Sequence, residues 1–167
     1  MQDTQALSCE VLQQMAIFGG VGSDALQFLL AGSRVGEHAA GSHIAREGDL
    51  ATGLYVLLGG HVAIQRRWND HQVQLRELGP GDCFGEMALL DLGPRSASVL
   101  ALDDCTVLEL PAGLLHDFFE HDPRQFALMQ MNIARELSRR LRRTFDVLFS
   151  VADESERALI ERALLRV

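Results

Sequence analysis

The middle of the chain, from residue 34 to residue 110, alternates short apolar runs with turn-forming residues, and this rhythm most narrows the possible folds. The runs at residues 54–58 and 61–64, for example, are separated by glycines, and Asn69-Asp70 marks the tip of a hairpin. Turn signals recur about every 8–12 residues, a spacing typical of β-sandwiches and β-barrels. We therefore expect this region to be a compact all-β structure.

Helical patterns flank the β region on both sides. Residues 1–33 contain two short segments with one apolar face each, separated by a Gly-Gly break, which predicts an N-terminal helical lead-in. Residues 111–167 return to a helical pattern. At 167 residues the chain is long enough for one domain with a sizeable core. The expected fold class is therefore a single mainly β domain with flanking helices.

The longest helical segment starts at Pro123 and runs to about Ser150, because no glycine or proline interrupts it. It carries two apolar ridges, which favours one face on the protein's own core and one on a partner helix. One wide face packed only within the monomer is the alternative. The segment is also basic, with six arginines against one glutamate between residues 124 and 143, a pattern most typical of a solvated face.

The segment 84–97, Phe-Gly-Glu-Met-Ala-Leu-Leu-Asp-Leu-Gly-Pro-Arg-Ser-Ala, carries the clearest chemistry. A short helix start offers backbone N–H groups to an anion, and Gly85 lets the backbone approach that anion closely. Arg95 has a planar fork suited to phosphate, whereas an ionised Glu86 only accepts hydrogen bonds and needs a hydroxyl partner. Together they predict a sugar-phosphate pocket. Taken one by one, an ordinary turn and a surface arginine explain the same residues.

The whole string closely resembles the phosphate-binding cassette of cyclic nucleotide-binding domains. Its glutamate-to-arginine spacing is that of cyclic AMP-dependent kinase regulatory subunits, and its Arg-Ser-Ala ending is seen in bacterial catabolite activator proteins. The resemblance covers about residues 8–150. It implies an eight-stranded jelly-roll β-barrel (a double-stranded β-helix) at residues 34–110, with the cassette at 84–97 inserted late, and with helices before and after it.

The resemblance also implies roles within the cassette. Gly85 and Ala88, with the neighbouring amides, would hold the cyclic phosphate. Glu86 would accept a hydrogen bond from the ribose 2′-hydroxyl. Arg95 would pair with the phosphate, and Ser96 would add a hydroxyl or an amide.

Three further positions are implied for the base of the nucleotide. Ile64 and Leu75 resemble walls of the base pocket, and Thr144 resembles the long-helix threonine that meets adenine in catabolite activators. The implied ligand is cyclic AMP or cyclic GMP, and Ser96 favours the cyclic AMP pattern. The expected ligand-binding residues are Gly85, Glu86, Met87, Ala88, Arg95, Ser96, Ala97, Ile64, Leu75 and Thr144.

Composition and charge argue against several other classes. The net charge of −8 disfavours nonspecific binding of the whole surface to nucleic acid or to an anionic membrane. No apolar run approaches the ~20 residues that a membrane helix needs, and the N-terminal segment has no signal-peptide pattern. The three cysteines are widely spaced, and the six histidines form no His-x-His pair of the kind that cupins use. We therefore expect a cytoplasmic protein without a metal.

No nucleophile–base set suggests catalysis, so we expect a stand-alone cyclic nucleotide sensor that changes the position of its C-terminal helix on binding. The expected partners are the nucleotide, a second copy of the chain through the long helix, and an unidentified protein effector. Two alternatives stay open: a transcription-regulator relative that acts on DNA indirectly, and a ligand-free structural or interaction module. Direct DNA binding is not expected, because residues 151–167 offer one further helix and no helix-turn-helix with its wing.

Overall fold

The structure is a computed structural model that describes residues 8–153 together with Glu156 and Ile160. The N-terminal part contains α1 at Cys9–Gln13, a 3-10 helix at Ala16–Phe18 and α2 at Ser23–Gly32. The strands are β1 Arg34–His38, β2 His43–Ala45, β3 Gly53–Gly59, β4 Val62–Trp68, β5 His71–Leu78, β6 Cys83–Phe84, β7 Ser98–Ala101 and β8 Cys105–Pro111. The remaining helices are α3 Glu86–Leu90, between β6 and β7, and α4 Ala112–His121 and α5 Pro123–Val151, after β8.

The strands pair in two four-stranded antiparallel sheets, with the orders β1-β8-β3-β6 and β2-β7-β4-β5. A mainly β region between helices, followed by one long helix, is therefore confirmed. The predicted closure into an eight-stranded barrel is not confirmed, because the strand pairs of the described residues form two separate sheets.

The hydrophobic core of the β region lies between the two sheets. One buried cluster joins Leu57, Phe84 and Val107 of the first sheet to Val62 and Val99 of the second. Side chains alternate between the two faces of a strand, so each sheet contributes its inward-facing residues to this layer. Leu57 has no exposed surface, and its truncation to alanine would cost about 2–5 kcal/mol.

The hairpin β4–β5 contains an irregularity on its second strand. Ile64 lies opposite Arg76, whereas the next residue, Gln65, lies opposite Gln74. Leu75 is therefore an extra residue in β5, the arrangement of a β-bulge. A bulge of this kind bends the strand and increases its twist.

The first part of α5 packs against the N-terminal helices through polar side chains. Nδ2 of Asn132 donates to the carbonyl oxygens of Ile17 at 3.2 Å and Gly19 at 2.8 Å. Oε1 of Gln125 accepts a hydrogen bond from the N–H of Gly22 at 2.9 Å. These bonds satisfy backbone groups at the breaks between the short helices, where no helical partner exists.

The chain divides into two compact units, Met1–Asn132 and Ile133–Val167, and α5 contributes residues to both. In the second unit Glu136 accepts from Arg139 at 3.0 Å and from Arg140 at 3.1 Å, so part of the basic run is neutralised within its own helix. Among the residues of this unit that the structure describes, the exposed large apolar side chains are Leu141, Phe145, Val147, Leu148, Phe149 and Val151.

Two predictions concern segments near the chain ends. The helix expected within residues 151–167 lies largely outside the described residues, as does the start of the predicted N-terminal lead-in. Among the helices that the structure describes, none combines the length and the apolar character that crossing a membrane requires.

Candidate functional site

Helix α3 begins directly after Gly85, which follows the short strand β6. Gly85 has φ 85° and ψ 1°, a left-handed conformation that favours glycine. A Cβ at this position would collide with Nη1 of Arg95 and lie 3.3 Å from the carbonyl oxygen of Gly53. The position therefore requires glycine for its backbone conformation and also for the space that Arg95 occupies.

Arg95 is the buried cation of this site, with only 5% of its surface exposed. Its Nη1 donates to the carbonyl oxygen of Gly85 and its Nη2 to that of Gly53, each at 2.9 Å. Its Cζ lies 5.2 Å from the centroid of the Tyr55 ring. The two carbonyl bonds use only part of the donor fork of an arginine. Every partner that the described residues offer this guanidinium is electrically neutral.

The backbone of Arg95 is held by the turn between β2 and β3. Its N–H donates to the carbonyl oxygen of Asp49 at 2.8 Å, and its carbonyl oxygen accepts from the N–H of Gly48 at 2.9 Å. In the same turn the N–H of Glu47 donates to Oγ of Ser98 at 3.0 Å. The turn therefore fixes the backbone of Arg95, and the two carbonyl groups of Gly85 and Gly53 fix the position of its guanidinium.

Glu86 and Ala88 are buried in α3, although this helix has only five residues. An acidic side chain in the first turn of a helix interacts favourably with the helix dipole. The first backbone N–H groups of a helix have no partner within it, so those of α3 can bind an oxyanion. The structure therefore brings the predicted acid, the predicted amides and, through Gly85, the predicted arginine to one place.

The other predicted cassette residues lie nearer the surface. Met87 is about half exposed, Ser96 is exposed and Ala97 is half-buried. Oγ of Ser96 lies 3.8 Å from Sδ of Met87, a weak hydrogen bond between the two ends of the cassette. This contact places the Arg-Ser-Ala ending next to the first turn of α3.

The three positions predicted for the base have different surroundings. Ile64 is half-buried and packs on the core cluster between the sheets. Leu75 is 56% exposed and is the extra residue of β5. Thr144 is exposed in the second unit, and its hydroxyl donates to the carbonyl oxygen of Arg140 at 3.0 Å. Their roles toward a base stay predictions.

Sequence reasoning missed Tyr55 and the carbonyl group of Gly53, both of which contact Arg95. Tyr55 lies opposite Phe84 in the pairing of β3 with β6, and the two rings stack with centroids 5.2 Å apart and planes 13° apart. The sequence does show that Gly53 and Tyr55 are two residues apart in a strand, which places them on the same face of that strand. That pattern does not reveal which distant residue the strand meets.

A second polar cluster lies at the turn between β3 and β4. The ring of His61, with Nδ1 2.8 Å from Oδ2 of Asp103, and then its backbone N–H lower the pKa of Asp103. Burial raises the pKa of the Cys105 thiol, whose Sγ donates to the carbonyl oxygen of His61 at 3.3 Å. A thiol with a raised pKa is a poor nucleophile. The described residues contain no group of three or more metal-binding side chains.

The chain matches the family described as "Cyclic nucleotide-binding domain" over residues 35–122. The matched range includes both sheets, the cassette and α4. The chain therefore belongs to the cyclic nucleotide-binding domain family, as the cassette predicted.

Individual relatives agree with this assignment. The Cyclic AMP receptor protein of Thermus thermophilus is 33% identical over 152 residues, which are 90% of this chain and 68% of that protein. The regulatory domain of Toxoplasma gondii PKA, solved with cAMP, has a TM-score of 0.62 and 27% identity, covering 65% of this chain and 42% of that one. A cyclic nucleotide-binding domain from Methylobacillus flagellatus kt has a TM-score of 0.77 and 21% identity, covering 86% of this chain and 82% of that one, and it shows the shared fold.

The residues of the site fit the kind of ligand that the family implies. A cyclic nucleotide presents an anionic phosphate next to a ribose hydroxyl. Arg95 offers a buried cation with neutral partners, Gly85 leaves space beside it, and Glu86 places a carboxyl group in the adjoining helical turn.

Proposed function

We propose that this protein is a sensor that binds the cyclic phosphate of a nucleotide between Arg95 and the start of α3. The observation that carries this proposal is the buried guanidinium of Arg95, whose described partners are two carbonyl groups and an aromatic ring. A buried charge is costly unless an opposite charge or several hydrogen bonds stabilise it. A phosphate would supply the opposite charge and accept from the remaining donors of the fork.

The rest of the cassette would complete the phosphate and ribose contacts. The amides of Met87 and Ala88 would donate to the phosphate oxygens, with Gly85 allowing the close approach. Glu86 would accept from the ribose 2′-hydroxyl, because an ionised carboxylate offers several acceptor sites to a hydroxyl donor. Ser96 and the amide of Ala97 would close the pocket at the other end of the cassette.

We propose cyclic AMP as the preferred ligand, with Ile64, Leu75 and Thr144 around the base. The names of the Thermus and Toxoplasma relatives, both of which refer to cyclic AMP, support this choice over cyclic GMP. Ser96, at the position where catabolite activators carry a serine, supports it as well. Thr144 would have to exchange its hydrogen bond to Arg140 for one to adenine.

The proposed signal is a change in the position of α5 between two states. In the described residues of the second unit, large apolar side chains such as Leu141 and Phe145 are exposed. A contiguous apolar surface on a helix usually marks an interface. A second copy of the chain, paired through α5, would cover this surface. We also propose, separately, that the two sheets close into a jelly-roll barrel of eight strands.

The proposed sensor has no catalytic step of its own, acts in the cytoplasm and passes its signal to a protein effector. Calorimetric titration of the purified chain with cyclic AMP, cyclic GMP, a cyclic dinucleotide and linear 5′-AMP tests its ligand. We expect saturable binding of cyclic AMP, weaker binding of cyclic GMP, and little binding of the linear nucleotide. Failure of every cyclic nucleotide to bind would overturn the proposal.

A further inference from the structure

We propose that Tyr55 is a positioning residue for Arg95: its aromatic face sets the orientation of the guanidinium that receives the phosphate. This inference rests on the proposed function, because the phosphate is the group that the oriented guanidinium would bind. Tyr55 would act through Arg95 and without touching the ligand itself.

The two hydrogen bonds to carbonyl groups leave the tilt of the guanidinium plane of Arg95 unconstrained. Gly85 and Gly53 each accept one hydrogen bond from the fork of Arg95, at the same distance of 2.9 Å. Two such contacts fix the edge of a planar group, but the plane can still tilt about the line that joins them. A phosphate contact along the remaining edge depends on this tilt, because the donors of the fork lie in the plane.

The ring of Tyr55 supplies the missing constraint on this tilt. Cζ of Arg95 lies 5.2 Å from the ring centroid, within the ~6 Å over which a cation is attracted to an aromatic face. Burial of the arginine strengthens this attraction, because water does not compete for the charge. A face contact added to two edge contacts defines the plane of the guanidinium.

The ring of Tyr55 is itself held in place by its neighbours. Tyr55 stacks on Phe84, which is buried and directly precedes Gly85 in the chain. The hydroxyl of Tyr55 lies 3.3 Å from Oγ1 of the exposed Thr52, so its polar end points to the periphery. The same ring therefore contacts residues at the beginning and near the end of the cassette, and the aromatic face is the part that meets Arg95.

A purely structural role for Tyr55 makes a different prediction, since the ring also packs against the core cluster. Replacement by leucine would remove both the packing and the attraction, and a misfolded variant would decide nothing. The informative change keeps the shape of the ring and withdraws electron density from its face. Tyr55→Phe and its tri- and pentafluorinated analogues, introduced by codon suppression, form such a series. The same analogues at Phe118, a buried ring outside the cassette that stacks on Phe28, provide the matched control.

The experiment titrates the full chain with cyclic AMP by calorimetry and records the urea midpoint of each variant. With Tyr55→Phe as the baseline, we expect the affinity to fall stepwise with fluorination, by about 5- to 30-fold for the most fluorinated ring. The series at Phe118 should leave the affinity within about twofold of the wild type, because that ring stacks on Phe28 and contributes nothing to the orientation of Arg95.

The outcomes separate this inference from the proposed function. If Tyr55→Phe and the wild type bind cyclic AMP and fluorination leaves the affinity unchanged, Tyr55 only packs and the inference is overturned alone. The inference would also be overturned if fluorination lowered the affinity equally at both positions, in proportion to the fall in the urea midpoint. If the wild type binds no cyclic nucleotide, the proposed function is overturned and the inference falls with it.

Discussion

Nη2 of Arg95 donates to the carbonyl oxygen of Gly53 at 2.9 Å, although 42 positions separate the two residues. Gly53 begins β3, a strand that is paired on both sides. A Cβ on Gly53 would lie 2.6 Å from the carbonyl oxygen of Leu110 in the neighbouring strand, so the position has little room to move. Any force that a ligand exerts on the guanidinium is therefore transmitted directly to an interior strand of the first sheet.

Replacement of Arg95 by alanine should nearly abolish nucleotide binding. Removing one partner of a buried charge pair costs about 2–5 kcal/mol, or roughly 30- to several-thousand-fold in affinity. Calorimetry with cyclic AMP measures the loss, and the urea midpoint shows how much stability the two carbonyl bonds contribute. Arg67→Ala, on the exposed part of the β4–β5 hairpin, is the matched control and should bind normally. Wild-type affinity in Arg95→Ala would contradict the phosphate site.

Glu86→Gln should weaken binding less than Arg95→Ala. The amide keeps an acceptor oxygen but loses the charge assistance that makes such a hydrogen bond worth about 1.5–3 kcal/mol. Comparing cyclic AMP with its 2′-deoxy analogue isolates the contact. The wild type should lose more affinity on deoxygenation than the mutant does. Equal losses would show that Glu86 does not bind the ribose hydroxyl.

Gly85→Ala should destabilise the protein and lower its affinity together. A left-handed conformation costs a non-glycine residue about 1–2 kcal/mol, and the added methyl group would displace the guanidinium of Arg95. Gly113→Ala is the control, because that helical glycine has open space around it and alanine is the better helix former. Urea unfolding should give a lower midpoint for the first variant and an unchanged or higher midpoint for the second. Normal affinity in Gly85→Ala would mean that Arg95 can act from another position.

Residues 126–151 of the long helix α5 should form the interface of a homodimer. Leu141→Asp would place a charge in the apolar surface of α5 and should convert the dimer to a monomer, as measured by light scattering at tens of micromolar. Thr144→Ala should leave the dimer intact and weaken cyclic AMP by the ~0.5–1.5 kcal/mol of one neutral hydrogen bond. A wild-type protein that is monomeric with and without ligand would rule out this interface.

The stability of the protein should depend on Asp103 in acid. Hydrogen bonds from the His61 ring and then from its backbone N–H hold the pKa of Asp103 below its ordinary value. The carboxylate therefore stabilises the fold above its unfolded pKa of about 3.9, and this contribution is lost as the pH falls through the lower folded value. Urea midpoints between pH 6 and pH 3 should fall further for the wild type than for Asp103→Asn. Asp70→Asn, at the exposed hairpin tip, should behave as the wild type does.

Much of the fold was predictable because its signals are local. The hairpin tip falls at Asn69, which takes a φ of 54°, a conformation that asparagine tolerates better than most residues. The long helix predicted from Pro123 to about Ser150 is observed at Pro123–Val151. Its start is set by Oδ1 of Asp122, which accepts from two backbone N–H groups of the first turn at 3.1 Å each. Such capping involves only neighbouring residues, so it can be recognised in a short segment of sequence.

The support of the site was not predictable in the same way. Arg95 and Glu86 stood out because their spacing lies within one segment, whereas Tyr55 meets Arg95 only through the pairing of β3 with β6. Likewise, the sequence predicted a hairpin tip at Asn69-Asp70, whereas the bulge at Leu75 depends on how β5 pairs with β4. Pairing between strands is decided by the whole sheet, and a single sequence does not state which strands are neighbours.

The bulge at Leu75 determines which face of the sheet each side chain in the outer half of β5 occupies. Side chains of a strand point alternately to opposite faces, so the extra residue reverses the facing of every β5 residue between Leu75 and the turn, relative to a regular pairing. Deletion of Leu75 alone would remove the bulge but keep the present facing, because Gln74 and Arg76 would become neighbours and still lie opposite their present partners in β4. Deletion of one residue between Leu75 and the turn, such as Val73, would instead exchange the facing of the residues from there to the tip. Insertions or deletions of two residues nearer the tip would preserve both surfaces. Nearer the tip, changes in the length of this hairpin should therefore be tolerated in pairs and resisted singly, whereas loss of Leu75 itself should preserve the pairing.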